Sequence, residues 1–225
     1  MLNIKDKLQK IADDIEKARG ASPIAAPAVT ILAASKSQSA LYIEEAIAAG
    51  ITDFGENRVQ EAAEKWGQGG LREKYPHIKL HLIGALQTNK VKQALALFDV
   101  IQSVDSPKLA EALSKHYTSH STLRTRSFYI QINTGEEPQK SGIFPAQADE
   151  FIKYCVDELQ LPVVGLMCVP PADQPPAPHF ALLREIAKRN NLRELSMGMS
   201  GDYEVAVRMG ASCVRVGTAL FGERA

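Results

Sequence analysis

The chain has 225 residues, of which 45% are hydrophobic and 23% charged. This is an ordinary globular composition that excludes a disordered chain and leaves enough apolar area for a sizeable core. Lys plus Arg and Asp plus Glu both number 26, so the formal charge is zero, and no basic tract is present to track a nucleic-acid backbone.

The first twenty residues, "MLNIKDKLQKIADDIEKARG", carry charges throughout and read as neither a secretory signal nor a membrane anchor. Ile4, Leu8, Ile11, Ile15 and Ala18 instead mark one face of an amphipathic helix, joined by the link "SPIAAPA" to the first strand. Residues 1–27 are thus a leading helix and link on one domain that spans 1–225. Strands are then expected at Val29–Ala34, Thr52–Phe54, Lys79–Ile83, Val100–Ser103, Phe128–Ile132, Val163–Met167, Glu194–Met197 and Ser212–Val216. Helices are expected between them at Ala40–Ala49, Arg58–Trp66, Thr88–Leu97, Pro107–Tyr117, Ala146–Glu158, Pro178–Arg189 and Gly201–Met209, with Gly50 and Gly210 where helix ends want a left-handed residue. The longest weakly charged stretch, 161–183, holds six prolines and cannot be a spanning helix.

Alternating strands and helices imply a parallel sheet, and about eight strands with seven intervening helices imply closure into a (β/α)8 TIM barrel rather than an open sheet. An open doubly wound sheet is the alternative, but its glycine-rich fingerprint after the first strand is missing. Cys155, Cys168 and Cys213 give neither a disulfide framework nor a C-x-x-C pair and read as buried thiols in a reducing cytosol. The expected setting is cytoplasmic, with no membrane or nucleic-acid partner.

In such a barrel the site lies at the C-terminal strand ends, and phosphates bind after strands seven and eight. The seventh ends in "LSMGMSGD" and the eighth in "CVRVGTALFGER". Ser200 in the first and Gly217 and Thr218 in the second could face one phosphate, or Ser200 and Thr218 could be helix caps alone. Closure sets strand eight beside strand one, so Lys36 must lie next to Gly217 and Thr218. Arg215 sits within a strand where both faces are normally dry, and needs a partner, either a structural carboxylate or a ligand. A lysine, a phosphate cradle and an arginine facing a ring nitrogen together fit a pyridoxal phosphate site. His77 and His81, and His116 and His120, are each four apart, but no third ligand accompanies either pair and no metal site is expected. The doublets Glu44, Glu45 and Glu136, Glu137 read as solvated.

The segments "AASKSQ", "DFGENRVQE", "HLIGALQTNK", "SVDSPKLAEAL", "QINTGEEPQKSGI", "VVGLMCVPP", "LSMGMSGD" and "VRVGTALFGER" resemble the successive motifs of the pyridoxal phosphate homeostasis family, from about Ile31 to Arg224. The resemblance implies a barrel like the N-terminal domain of alanine racemase, with pyridoxal 5′-phosphate as cofactor on Lys36 as a Schiff base. It further implies phosphate contacts at Ser200, Gly217 and Thr218, a pyridine-facing Arg215, and Asn57 and Ile83 near the ring, with Met199 and Gly198 sharing the Ser200 loop as part of the cofactor site. Lys140 matches a second lysine of the family. Gln38 departs from a lysine common in the family, Ala85 from a proline and Gly201 from an acidic residue.

Two readings of function are compatible with these residues. One is a non-catalytic carrier that holds the cofactor, buffers it and delivers it to cofactor-dependent apo-enzymes by transient contact, as a monomer. The alternative is an amino-acid racemase, against which count an arginine with no acceptor for the pyridine nitrogen and the absence of a second domain to supply another acid/base group. A Schiff-base aldolase would share the lysine and the cradle but leaves Arg215 unexplained.

Overall fold

A computed structural model describes residues 3–24, 27–117 and 124–222. The leading helix α1 (Ile4–Gly20) starts where the Asn3 side chain accepts the Asp6 N–H at 2.9 Å, and it buries Ile4, Ile11, Ile15 and Ala18 as its periodicity requires. Next come β1 (Thr30–Ala34), α2 (Ala40–Ala48), β2 (Asp53–Glu56), α3 (Val59–Trp66), a one-turn α4 (Leu71–Lys74), β3 (Lys79–Leu82), α5 (Val91–Leu97), β4 (Val100–Val104), α6 (Pro107–Tyr117), β5 (Ser127–Ile132), α7 (Ala148–Lys153), β6 (Val163–Cys168), α8 (Pro176–Arg189), β7 (Glu194–Met199), α9 (Tyr203–Arg208), β8 (Cys213–Val216) and α10 (Thr218–Phe221).

The eight strands pair in parallel, in chain order, into a closed barrel. Closure is made by β1 and β8, where Thr30 pairs with Cys213, Leu32 with Arg215 and Ala33 with Val216. Side chains alternate between the barrel interior and the helical layer. Val214 and Val216 therefore join the main core under the helices, while Val100, Tyr129 and Met167 form a small separate cluster. All three cysteines are buried and free. Among the described residues, no helix is long and apolar enough to cross a membrane.

The structure redraws several expected boundaries. The helix expected at 88–97 opens with a 3-10 turn, Thr88–Lys90. That expected at 146–158 is a 3-10 turn, Pro145–Gln147, then α7, then a π-helical turn, Tyr154–Glu158. α8 begins at Pro176 rather than Pro178, because proline is tolerated in a first turn whose N–H groups lack helical partners. The expected 201–209 helix starts only at Tyr203, since residues 199–202 close a turn of their own. In it the Asp202 carboxylate accepts the Met199 N–H at 2.6 Å and the Asp202 N–H reaches the Met199 carbonyl at 3.0 Å. Gly50 and Gly210 do take positive φ, 107° and 98°, after α2 and α9.

Candidate functional site

Lys36 lies just past the end of β1 in a turn closed by Gln38 N–H to the Ser35 carbonyl at 3.0 Å. It is half-buried, and its ammonium makes no hydrogen bond or ion pair among the described residues. The β1 and β8 register carries this turn alongside Gly217, where an added Cβ would lie 3.7 Å from the Ala34 Cβ. The end of β1, two residues before Lys36, thus lies beside Gly217.

At the phosphate loops, the N–H groups of Gly217 and Ala219 converge on one oxygen, the Ser200 hydroxyl, at 3.2 and 3.1 Å. Ser200 therefore caps α10 across the loops rather than capping its own helix, whose preceding residue is Asp202. Two amides aimed at one oxygen is the arrangement an anionic oxygen accepts at a helix start. Thr218 is exposed as the first residue of α10. Met199 is exposed at the end of β7. Gly198 has φ 90°, and a Cβ there would meet the Ala206 Cβ at 2.5 Å, so the bend from β7 into this loop requires glycine.

Arg215 is 5% exposed. Its guanidinium donates to the Ser196 hydroxyl at 2.7 Å and to the Cys168 carbonyl at 2.8 Å. Neither partner is the structural carboxylate that the sequence allows for, and no ion pair to Arg215 forms among the described residues. Burial lowers its pKa without making it neutral at ordinary pH. Burial also pushes the Cys168 thiol up to about 12 and the Cys213 thiol up to about 11, with the Arg215 charge opposing both shifts.

The Ser196 hydroxyl donates in turn to Gln102 Oε1 at 2.6 Å. The Gln102 amide nitrogen lies 3.0 Å from His81 Nδ1, and His81 Nε2 lies 3.0 Å from Asp53 Oδ1. With Gln102 donating, Nδ1 is bare and Nε2 carries the hydrogen toward Asp53. One polar chain thus runs through the barrel from Asp53 at the start of β2 to Arg215 in β8. His81 belongs to this chain in β3 and not to a helical metal pair with His77; His120 lies outside the described residues.

Asn57 and Ile83 come directly after β2 and β3. They lie close because Gly84 lets the Asn57 backbone in: a Cβ on Gly84 would meet the Asn57 carbonyl oxygen at 2.3 Å. Ile83 would contact a Cβ placed on Gly55 at 2.9 Å, so its side chain leans toward the barrel mouth. Lys140 lies on the loop after β5, paired with Glu137 at 2.5 Å. Glu137 is therefore not a freely solvated carboxylate, and neither is Glu44, which pairs with Lys74.

The family model "Alanine racemase, N-terminal domain" matches residues 7–225. A pyridoxal phosphate homeostasis protein of Pseudomonas aeruginosa is 38% identical over 229 residues, covering 100% of this chain and 97% of that protein. The chain belongs to the alanine racemase N-terminal domain family, in its pyridoxal phosphate homeostasis branch. The structure of PipY from Synechococcus elongatus with PLP bound superposes with a TM-score of 0.80 at 34% identity, covering 98% of this chain and 100% of that one. An alanine racemase from Acinetobacter baumannii shares the fold, with a TM-score of 0.71 at 17% identity, but the match spans only 62% of that chain.

For a homeostasis-branch barrel, the donor set fits pyridoxal phosphate. A hydroxyl fixed by two converging amides suits a phosphate, an uncommitted amine suits an aldehyde, and a buried N–H donor suits an unprotonated ring nitrogen. Sequence reasoning missed Gln102 and Ser196. Their signal is a polar residue that is fully buried within a strand, Gln102 in "VIQSV" and Ser196 in "ELSMGM".

Proposed function

We propose that this protein binds pyridoxal 5′-phosphate as a Schiff base on Lys36 and serves intracellular homeostasis of that cofactor, holding it and releasing it to apo-enzymes rather than catalysing a reaction. What supports the reading is that the turn carrying the unpaired Lys36 follows β1, the strand that pairs with β8, whose end leads into the Gly217 and Thr218 loop tied to Ser200. When bound, the cofactor supplies a phosphate and an aldehyde that condenses with a primary amine, the carbonyl oxygen leaving as water.

The residues divide the work. The Ser200 and Thr218 hydroxyls hold the phosphate at the Gly217 turn, Ser200 being fixed by the Gly217 and Ala219 N–H groups, with Met199 in the same loop; Arg215 donates to the ring nitrogen; Asn57 and Ile83 border the ring; Lys36 anchors it. Lys140, pinned by Glu137, is a secondary lysine outside this set. Support for a carrier comes from Arg215, which offers the ring nitrogen no proton acceptor and so leaves it a poor electron sink. The match to almost the whole of a pyridoxal phosphate homeostasis protein of Pseudomonas aeruginosa points the same way. Three buried free thiols suit a reducing cytoplasm.

The test is the visible spectrum of the purified protein before and after borohydride, with peptide mapping of the reduced product. A yellow protein whose reduced adduct maps to Lys36, and which loses the adduct in Lys36→Ala, is the expected result. An adduct on another lysine with Lys36 unlabelled overturns the assignment.

A further inference from the structure

Lys36 is flanked on both sides by residues tied to one buried charge cluster that takes no part in the cofactor contacts. Glu56, the last residue of β2, turns away from the barrel interior into the layer beneath α3 and is fully buried. Its Oε1 accepts from the Ser35 hydroxyl at 2.7 Å and the Trp66 indole at 3.1 Å, and meets Lys65 Nζ at 2.6 Å. Lys65 Nζ donates onward to the Ser35 carbonyl at 2.9 Å and to Glu61 Oε1 at 3.0 Å. That same Glu61 oxygen accepts the Ser37 N–H. Ser35 and Ser37 are thus both fixed, while the ammonium of Lys36 between them has no hydrogen-bond or ion-pair partner among the described residues.

Packing alone does not explain the cluster. A buried carboxylate and ammonium gain little over apolar residues of similar volume, and Glu56 Oε2 is buried with no hydrogen-bond partner. Ser37 holds φ 61°, a left-handed conformation that a non-glycine residue keeps only where its surroundings impose it. The Ser37 amide is taken by the Glu61 carboxylate, which Lys65 ties to Glu56 and the Ser35 carbonyl. The strain therefore lies in the very turn that aims the Lys36 side chain.

We propose that Glu56, Glu61 and Lys65 are positioning residues that hold the Lys36 turn in its strained form, so that the amine faces the phosphate cradle before any cofactor arrives. This rests on the reading of Lys36 as the attachment lysine. Glu61 and Lys65 come from α3 and Glu56 from β2, so the clamp transfers the rigidity of the β2–α3 unit to the loop after β1.

The experiment compares the full-length wild type, Glu61→Gln and Lys65→Met. Glu61 has a side chain 31% exposed, so its variant is expected to fold; Lys65→Met tests the bridge independently. Three quantities are read: the rate at which pyridoxal phosphate forms a borohydride-fixed adduct on Lys36, the affinity for pyridoxine 5′-phosphate, and hydrogen exchange at the Ser37 amide of the cofactor-free protein. Pyridoxine 5′-phosphate keeps the ring and phosphate but has no aldehyde. Both variants are expected to slow adduct formation about tenfold or more, the scale of a misaimed reacting group, and to speed Ser37 exchange while leaving pyridoxine 5′-phosphate affinity unchanged. An unchanged adduct rate in Glu61→Gln overturns the proposal, and so does an equal loss of pyridoxine 5′-phosphate affinity, which would mark general damage to the site. A wild-type adduct mapped away from Lys36 instead overturns the underlying reading, and the wild-type control alone shows it.

Discussion

Arg215 owes its position to residues that never reach the barrel mouth. Its guanidinium leans on Ser196, Ser196 on Gln102, Gln102 on His81 and His81 on Asp53, and each link has a single consistent donor direction. Ser196→Ala removes an acceptor from Arg215 and a donor from Gln102, leaving both buried; the expected cost is about 1–3 kcal/mol of stability. Weaker cofactor binding should accompany it, and denaturant unfolding and titration read the two effects separately. A Ser196→Ala protein with wild-type stability and affinity would mean the chain does not brace the arginine. The far end of the chain makes a pH prediction. Burial works to raise the Asp53 carboxyl, but the hydrogen bonds from His81 and Thr52 outweigh it and hold the pKa below the usual value. A group depressed in the folded state contributes stability above its unfolded pKa of about 3.9, and that contribution is lost as pH falls through the lower folded value. Asp53→Asn should therefore lower the melting temperature at pH 6 and flatten its decline below pH 4; an acid limb as steep as wild type would count against this.

At the scale of elements, the ends of β7 and β8 and the start of α10 act as one unit, because Ser200 of the first loop caps the helix that comes after the second. Ser200→Ala and Thr218→Val should each weaken pyridoxal phosphate binding by about 1.5–3 kcal/mol, the range for a hydrogen bond to a charged group. Binding of pyridoxal, which lacks the phosphate, should change far less. Equal losses for both ligands would reduce the two hydroxyls to structural caps. These loops are legible in the sequence because small residues after β-branched runs leave backbone N–H groups free, and alternation alone implies the barrel that sets strand eight beside strand one. The Glu56 cluster is not legible: in "DFGE" an outward position beneath a helix calls for an apolar residue, and only the packed α3 reveals that Trp66 and Lys65 receive the carboxylate there. His81 suggests a helical spacing of four with His77, whereas in β3 it points inward among Asp53 and Gln102. Arg215 reads as needing a carboxylate or a ligand, because nothing local in "CVRVG" shows that a hydroxyl and a carbonyl from neighbouring strands meet it.

For the molecule as a whole, the question is whether a barrel shared with racemases also racemises. Removing the α-hydrogen of a bound amino acid calls for a strong electron sink and an acid/base group on each face of the reacting carbon. Under the proposed binding mode Arg215 would offer a ring nitrogen donors alone, Lys140 is engaged with Glu137, and Lys36 is the one unpaired amine among the proposed site residues. Cofactor-loaded protein incubated with L-alanine in deuterated water should show spectral change as the amino acid displaces Lys36, yet negligible deuterium at the α-carbon. The phosphate cradle would then be the only strong hold left on the cofactor, which is the condition a protein needs in order to hand it on. Deuterium uptake with accumulation of D-alanine at about 1 s⁻¹ or faster, the pace of ordinary enzymes, would make this protein a racemase and remove the carrier reading.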